Sequence, residues 1–96
     1  MSDASDLQAQ SNQTRLEFLH SELAICFTFI TLAETERKFG NPEDAKRPIA
    51  DAEKGYAALQ RFMTDPKHAL HIGDEERREI TEGMQEIRKK LDSLER

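Results

Sequence analysis

The sequence has one cysteine, no tryptophan and only three prolines among its 96 residues. A single cysteine excludes a disulfide within the chain, so nothing indicates an oxidising compartment. Basic residues are outnumbered by acidic ones, 14 to 19, and the formal net charge of −5 argues against a nucleic-acid-binding surface. The longest basic run, residues 88–90, lies among acidic residues and is typical of a solvated helix surface.

Targeting and membrane signals are also lacking. The N-terminal segment MSDASDLQAQSNQ has neither the basic start nor the apolar stretch of a signal peptide. Its polar composition predicts a disordered tail over residues 1–12, followed by one domain over residues 13–96. The longest apolar run, LAICFTFITLA at residues 23–33, is shorter than the roughly 20 residues that cross a bilayer. We therefore expect a soluble cytoplasmic protein that binds neither membranes nor nucleic acids.

Strand signals are nearly absent, because no alternation of apolar and polar residues is sustained. Helical caps and apolar stripes instead predict three helices, near residues 14–39, 42–64 and 74–95. The first starts with a capping box at Thr14 and stops at Gly40, and the second starts with Asn41 as its cap and Pro42 in its first turn. The predicted fold class is all-α, as a three-helix antiparallel bundle.

One proline interrupts the second helix. Pro48 removes a backbone hydrogen bond, and its ring clashes with the carbonyl of Asp44, at a cost of about 3 kcal/mol in a regular helix interior. We expect a kink or a restart there. Beyond this helix, a loop of about eight residues is expected before the third.

The first helix carries two apolar stripes. One stripe consists of Leu16, Leu19, Leu23, Cys26, Phe27 and Ile30. The other consists of Phe18, Ile25, Phe29 and Leu32. If this helix lies between the other two, both stripes are covered and the apolar run is core, with Cys26 as a buried, unreactive thiol. The alternative is that part of the run stays exposed and binds something.

A set of small and large residues recurs across the first helix, the turn and the second helix. It consists of Phe29, Leu32, Ala33, Gly40, Ala45, Ile49 and Ala52. This series resembles one tetratricopeptide repeat, although Glu36 replaces the usual aromatic and no second copy follows. The resemblance implies a repeat-like hairpin with the third helix as its capping helix. Because one repeat cannot bury its own faces, the third helix or a second chain must complete the core.

The resemblance also implies a binding surface. In this repeat family the first helix of each repeat lines the groove that receives peptides, and the positions that carry over are Phe27, Ile30, Glu34, Arg37 and Lys38. If the third helix covers Phe27 and Ile30, the groove is filled from within. If it packs elsewhere, both residues face solvent or a second subunit.

Signatures of catalysis and metal binding are weak. His68 and His71 have a ligand-like spacing but no third ligand, and Cys26 and Ser21 show no nucleophile–base arrangement. The glycines form no phosphate-binding loop. We expect no enzyme activity, no catalytic residue, no metal and no cofactor. The expected function is a non-catalytic helical module that binds an unidentified protein or forms a homodimer, and the alternative is a small-ligand or metal-binding helical bundle.

Overall fold

The computed structural model describes residues 3–96, with side chains described from Asp6 onward. It contains four helices: α1 (Asp3–Lys38), α2 (Pro42–Thr64), α3 (Pro66–Ala69) and α4 (Asp74–Leu94). No strand occurs in this part of the chain, so the all-α class is confirmed. The count of three helices is wrong, because the predicted loop after α2 contains α3.

α1 begins at Asp3, not at Thr14 as the capping box predicted. The Thr14 hydroxyl donates to the backbone carbonyl of Gln10, at 2.9 Å, which is the behaviour of threonine inside a helix. The segment predicted as a disordered tail is therefore helical from Asp3 onward, and its first two residues lie outside the described range. Alanine, leucine and glutamine favour a helix here, and no glycine or proline stops it.

The turn between α1 and α2 follows the predicted stop. Gly40 has a φ of +80°, and the N–H of Asn41 donates to the carbonyl of Glu36, while the N–H of Gly40 donates to that of Arg37. This pair of bonds is the Schellman motif, which requires a residue in the left-handed region. Asn41 precedes α2 but makes no side-chain cap, and its amide nitrogen donates to the carboxylate of Glu36.

The predicted bounds of α2 are confirmed, and those of α4 differ by one residue. α2 runs without interruption past Pro48, so the helix does not restart there. α3 starts at Pro66 and is capped by Asp65, whose carboxylate accepts from the N–H of Lys67 at 3.0 Å. Its four residues turn the chain between the two long helices.

The core is built from one face of each long helix. Its buried members are Leu19, Leu23, Cys26, Ile30, Ala33, Ala45, Ala52, Leu59, Met63, Ile72, Ile80, Ile87, Leu91 and Leu94. Burying each leucine or isoleucine contributes roughly 1.5 to 3 kcal/mol, so these side chains dominate the free energy of folding. Small residues allow α1 and α2 to approach closely: the Cys26 thiol donates to the carbonyl of Ala52, at 3.8 Å.

Both partner helices pack on the same stripe of α1. Cys26 contacts α2 at Ala52, and Leu23 lies against Gly83 of α4. The expectation that two partners would cover two stripes is therefore wrong. The second stripe is left largely open, with Phe18, Ile25 and Leu32 all exposed.

One ion-pair network joins α2 to α4. Arg88 donates two hydrogen bonds to the carboxylate of Glu53, at 2.7 and 2.8 Å, and also pairs with Asp92 and Glu95. Hydrogen bonding from Arg88 lowers the pKa of Glu53, whereas partial burial and the neighbouring Glu53 raise the pKa of Glu95. One guanidinium thus holds three carboxylates, and of the two whose pKa values shift, Glu53 is better placed than Glu95.

Candidate interaction surface on the first helix

An uncharged row of exposed residues runs along α1 on the side opposite its buried stripe, and Phe18 is the member that also contacts α2, through Phe62. Its members follow each other at spacings of four and three residues, and every one of them is exposed: Thr14, Phe18, Ser21, Ile25, Thr28, Leu32, Thr35 and Phe39. We call this row the outer seam. Spacings that alternate between four and three keep a row on one face of a helix, which is the pattern of helices that pack on another helix.

Large and small side chains alternate strictly along the outer seam. Phe18, Ile25, Leu32 and Phe39 are 40%, 46%, 49% and 72% exposed, and they are seven residues apart. The four positions between and before them are serine or threonine. A row of four large apolar side chains in water is unusual for a monomer and marks an interaction site.

The other two long helices expose a different kind of surface. The outward side of α4 carries acids and bases at most of its positions, such as Glu75, Arg78, Glu82 and Lys89. α1, in contrast, has a single charged residue between Glu17 and Glu34, and that is Glu22. The uncharged exposed surface is therefore a property of α1 and not of the molecule in general.

Charged residues flank the outer seam at its two ends, and Glu22 is the one charged residue beside its middle. Glu17 and Lys38 lie on one flank, and both are exposed. Arg15 and Glu36 lie on the other flank and are half-buried, and Arg15 donates to Asn12 at 2.9 Å while Glu36 accepts from Asn41. Each flank thus has an acid and a base at opposite ends, and the flank of Arg15 and Glu36 also has Glu22 between them.

An open groove of about 540 Å³ adjoins the N-terminal half of the seam. The rings of Phe18 and Phe62 lie 4.9 Å apart, and His68 stacks on Phe62 at 4.0 Å. The guanidinium of Arg15 donates through Nε to Nδ1 of His68, at 3.1 Å. The groove therefore combines an aromatic wall with one cation.

The five residues that the repeat resemblance implied do not share an open face. Ile30 is 1% exposed and belongs to the core, and Phe27 is half-buried and packs against the core. Glu34, Arg37 and Lys38 are exposed. The reading in which Phe27 and Ile30 face solvent is therefore wrong for Ile30, because the other helices fill that side of α1.

Sequence reasoning missed the small members of the outer seam. Phe18, Ile25 and Leu32 stood out as a second stripe, but Thr14, Ser21, Thr28 and Thr35 carry no apolar signal of their own. The signal that reveals them is the seven-residue repeat of both sets. Phe39 was also left out of the predicted second stripe, although the predicted helix over residues 14–39 contained it.

Residues considered for chemistry are held in structural contacts. Cys26 is buried, and burial together with the charge of Glu22 raises its pKa to about 11. His71 lies 3.4 Å from the amide of Gln8, whereas His68 contacts Arg15 and Phe62. Within the described residues, no group of three or more histidine, cysteine, aspartate or glutamate side chains is arranged to hold a metal ion.

Comparison with known proteins gives no relative: no protein family, characterised protein or solved structure matches the chain. Among the described residues, α1 is long and apolar enough to cross a membrane, with an 18-residue window of mean hydropathy 1.5. This 18-residue window is long enough to cross a membrane, whereas the eleven-residue apolar run alone is too short. A core helix of a soluble protein can have the same length and hydropathy, and 28% of this window is buried in the fold.

Proposed function

We propose that this protein is a non-catalytic helical module that binds protein through the outer seam of α1. The observation that carries the proposal is the exposure of Phe18, Ile25, Leu32 and Phe39 in one row at seven-residue spacing. Such a row fits the apolar face of another helix, because knobs at regular helical spacing fit between the side chains of a facing helix.

The proposed architecture is an antiparallel bundle of α1, α2 and α4. Contacts between distant residues support it: Phe18 meets Phe62 and Cys26 meets Ala52, so residue numbers fall along α2 as they rise along α1. The resemblance to one tetratricopeptide repeat is kept as a proposal for the α1–α2 hairpin. The close approach at Ala52 supports it, since small residues at a helix crossing are the feature on which the resemblance rests.

The proposal places the protein in the cytoplasm as a soluble chain. Moving α1 into a bilayer would separate its buried stripe from α2 and α4, exposing Leu59, Ile80 and Ile87 to water. Each of these side chains contributes roughly 1.5 to 3 kcal/mol by its burial. The packing of α1 in the core therefore favours a soluble protein.

Site-specific photo-crosslinking tests the proposed function. A photoreactive phenylalanine analogue at Leu32 should capture a protein in the cells that produce this chain. The matched control is the same analogue at Leu70, a leucine that is 83% exposed but lies off the seam. A product seen from Leu32 and absent from Leu70 supports the proposal, whatever its mass. Equal capture from both positions, or none from Leu32, would refute it.

The alternative, a small-ligand-binding bundle, is favoured by one observation, the groove beside Phe18. Its aromatic wall and the Arg15 guanidinium suit a small aromatic carboxylate. Titration with benzoate, followed by NMR, should shift the resonances of Phe62 and His68 in the native chain and not in Arg15→Ala. If benzoate shifts nothing at millimolar concentration, or shifts both proteins alike, this alternative fails.

A further inference from the structure

We propose that the partner on the outer seam is a second copy of this chain, packed with its α1 antiparallel to the first. The inference rests on the proposed function, because it concerns the same surface. It adds the identity of the partner, the direction of the two helices and their register.

The alternation of large and small side chains selects the antiparallel direction. In a parallel pair identical positions face each other, so Phe18 meets Phe18 and Ser21 meets Ser21. Layers of two large side chains would then alternate with layers of two small ones. The two helix axes could not keep one separation along the seam. In an antiparallel pair each large residue can face a small one in every layer, which is the arrangement that fills space evenly.

One register uses the whole seam. With the twofold axis midway between positions 25 and 28, the residue pairs across the two copies are Phe18–Thr35, Ile25–Thr28, Leu32–Ser21 and Phe39–Thr14. Each pair forms twice, and no seam residue is left over. A shift by seven residues in one direction leaves Phe18 and Thr14 without a partner. The opposite shift places Phe39 against Leu7, another exposed large side chain, so that two large residues share one layer.

Charges on the flanks agree with the same register. A twofold axis perpendicular to two antiparallel helices brings each flank against the same flank of the other copy. Glu17 then lies opposite Lys38 of the second copy, and Arg15 lies opposite Glu36. A parallel pair would instead place Glu17 beside Glu22, which are like charges. Packing and charge thus favour the antiparallel pair by independent arguments.

The expected affinity is modest. Twenty-five residue steps separate Thr14 from Phe39, so the seam is about 38 Å long and one helix wide. Contacts of this size fall in the class of small, transient interfaces. Measurements should therefore cover chain concentrations from about 1 µM to about 1 mM.

Sedimentation equilibrium of the full chain tests the partner. The native chain should form dimers at the upper end of this range, and Ile25→Glu should remain monomeric. Leu70→Glu is the matched control and should dimerise like the native chain. Both variants change exposed residues, so circular dichroism should show an intact fold. A native chain that is monomeric throughout, or a dimer that Ile25→Glu leaves intact, would overturn the proposal.

A charge exchange tests the direction of the helices. Glu17→Lys and Lys38→Glu should each weaken the dimer by about 2- to 30-fold, because two exposed ion pairs are lost per dimer. The double variant should regain native affinity. In a parallel dimer, Glu17→Lys would instead strengthen the dimer, because it would remove the repulsion between Glu17 and Glu22. That result, or a double variant as weak as the single ones, would contradict the register.

Distance measurement provides a third readout. A spin label attached to Thr14→Cys, in a chain with Cys26→Ala, should lie about 40 Å from its copy in the antiparallel dimer and about 10 Å away in a parallel one. A distance near 10 Å would overturn the proposal. Flotation with phosphatidylglycerol vesicles tests whether the outer seam binds lipid instead of protein. If the native chain binds the vesicles, Ile25→Glu does not, and no dimer forms, the second copy is excluded as the partner.

The two proposals fail differently. If the analogue at Leu32 captures another protein while the pure chain stays monomeric, the second copy is excluded and the proposed function stands. If the analogue captures nothing and the chain is monomeric, both are excluded.

Discussion

Gly55 of α2 lies directly against the thiol of Cys26 on α1. A Cβ atom added to Gly55 would be 2.5 Å from Sγ, closer than two such atoms can come. Gly83 of α4 is in a softer position, because an added Cβ would meet the methyl end of Leu23 at 3.0 Å. At the scale of single residues, the contact between α1 and α2 is therefore tight and that between α1 and α4 has some freedom.

Gly55→Ala should lower the free energy of unfolding by up to about 2 kcal/mol, since overpacking costs about 1 to 3 kcal/mol and alanine gains roughly 1 kcal/mol over glycine in a helix. Adding Cys26→Ala should remove the clash, so the double variant should be more stable than the sum of the single changes implies. Gly83→Ala serves as the control and should be close to neutral. Urea denaturation measures all four. Strictly additive effects of Gly55→Ala and Cys26→Ala would contradict this account.

Two of the three carboxylates on Arg88, Glu53 and Glu95, should respond oppositely to neutralisation. The pKa of Glu53 is lowered in the fold by hydrogen bonds from Arg88, so its charge stabilises the protein above about pH 4.5, and the contribution is lost as the pH falls through the folded pKa. Glu53→Gln should cost about 1 kcal/mol at pH 7, after allowance for solvent screening. The loss should become smaller as the pH falls below about 4.5.

Glu95 provides the matched comparison. Its pKa is raised, chiefly by partial burial, so its protonated form is favoured in the fold and its charge opposes folding at pH 7. Glu95→Gln should therefore leave the stability unchanged or increase it at pH 7. Urea denaturation at pH 7 and pH 3 checks both variants. Equal losses from the two substitutions at pH 7 would show that the carboxylates share Arg88 evenly.

Helix ends were predictable from sequence where the chain itself stops a helix. The ring of Pro42 fixes its φ, and Gly40 can adopt the positive φ of a helix stop without a Cβ clash, and the bounds around both residues agree with the structure to within one residue. The start of α1 was not predictable in the same way, because the capping box at Thr14 is a local pattern that a continuing helix can override. The pairing of the stripes was also beyond local reasoning, since it depends on how three helices pack together.

Pro48 lies in the interior of α2. Its ring leaves the carbonyl of Asp44 without its helical donor, yet α2 passes through it without a break. Pro48→Ala should raise the free energy of unfolding by about 1 to 2 kcal/mol, because the restored hydrogen bond outweighs the greater freedom of the unfolded chain. Pro42→Ala, at the first helical position, should give no gain. If thermal and urea unfolding show that Pro48→Ala is destabilised, packing of the ring is worth more than the lost bond.

The molecule as a whole is a rod of 60 × 18 × 17 Å. α1 has 36 residues and is about 54 Å long at 1.5 Å per residue, so it runs along nearly the whole rod. The outer seam is therefore a side of the molecule and not an end. This geometry could not be read from the sequence until the start of α1 was known.

Association along the side should thicken the rod more than it lengthens it. With the twofold axis about six residues from the middle of α1, the two copies are offset by roughly 18 Å. Small-angle X-ray scattering of the dimer should therefore give a maximum dimension about 20 Å greater than that of the monomer. Leu70→Glu should give the same value. A dimer about twice as long as the monomer would mean that the copies join at their ends.

The burial of Cys26 gives the protein a built-in reporter of its own opening. The thiol is sealed between α1 and α2, and its pKa of about 11 keeps it protonated and unreactive while the helices are packed. A thiol reagent can therefore modify the native chain only after these helices separate. Since there is no second cysteine to compete, the rate of modification measures how often α1 and α2 separate at Cys26. A cell's oxidants meet the same barrier, so oxidation at this sulfur records that the chain has been open.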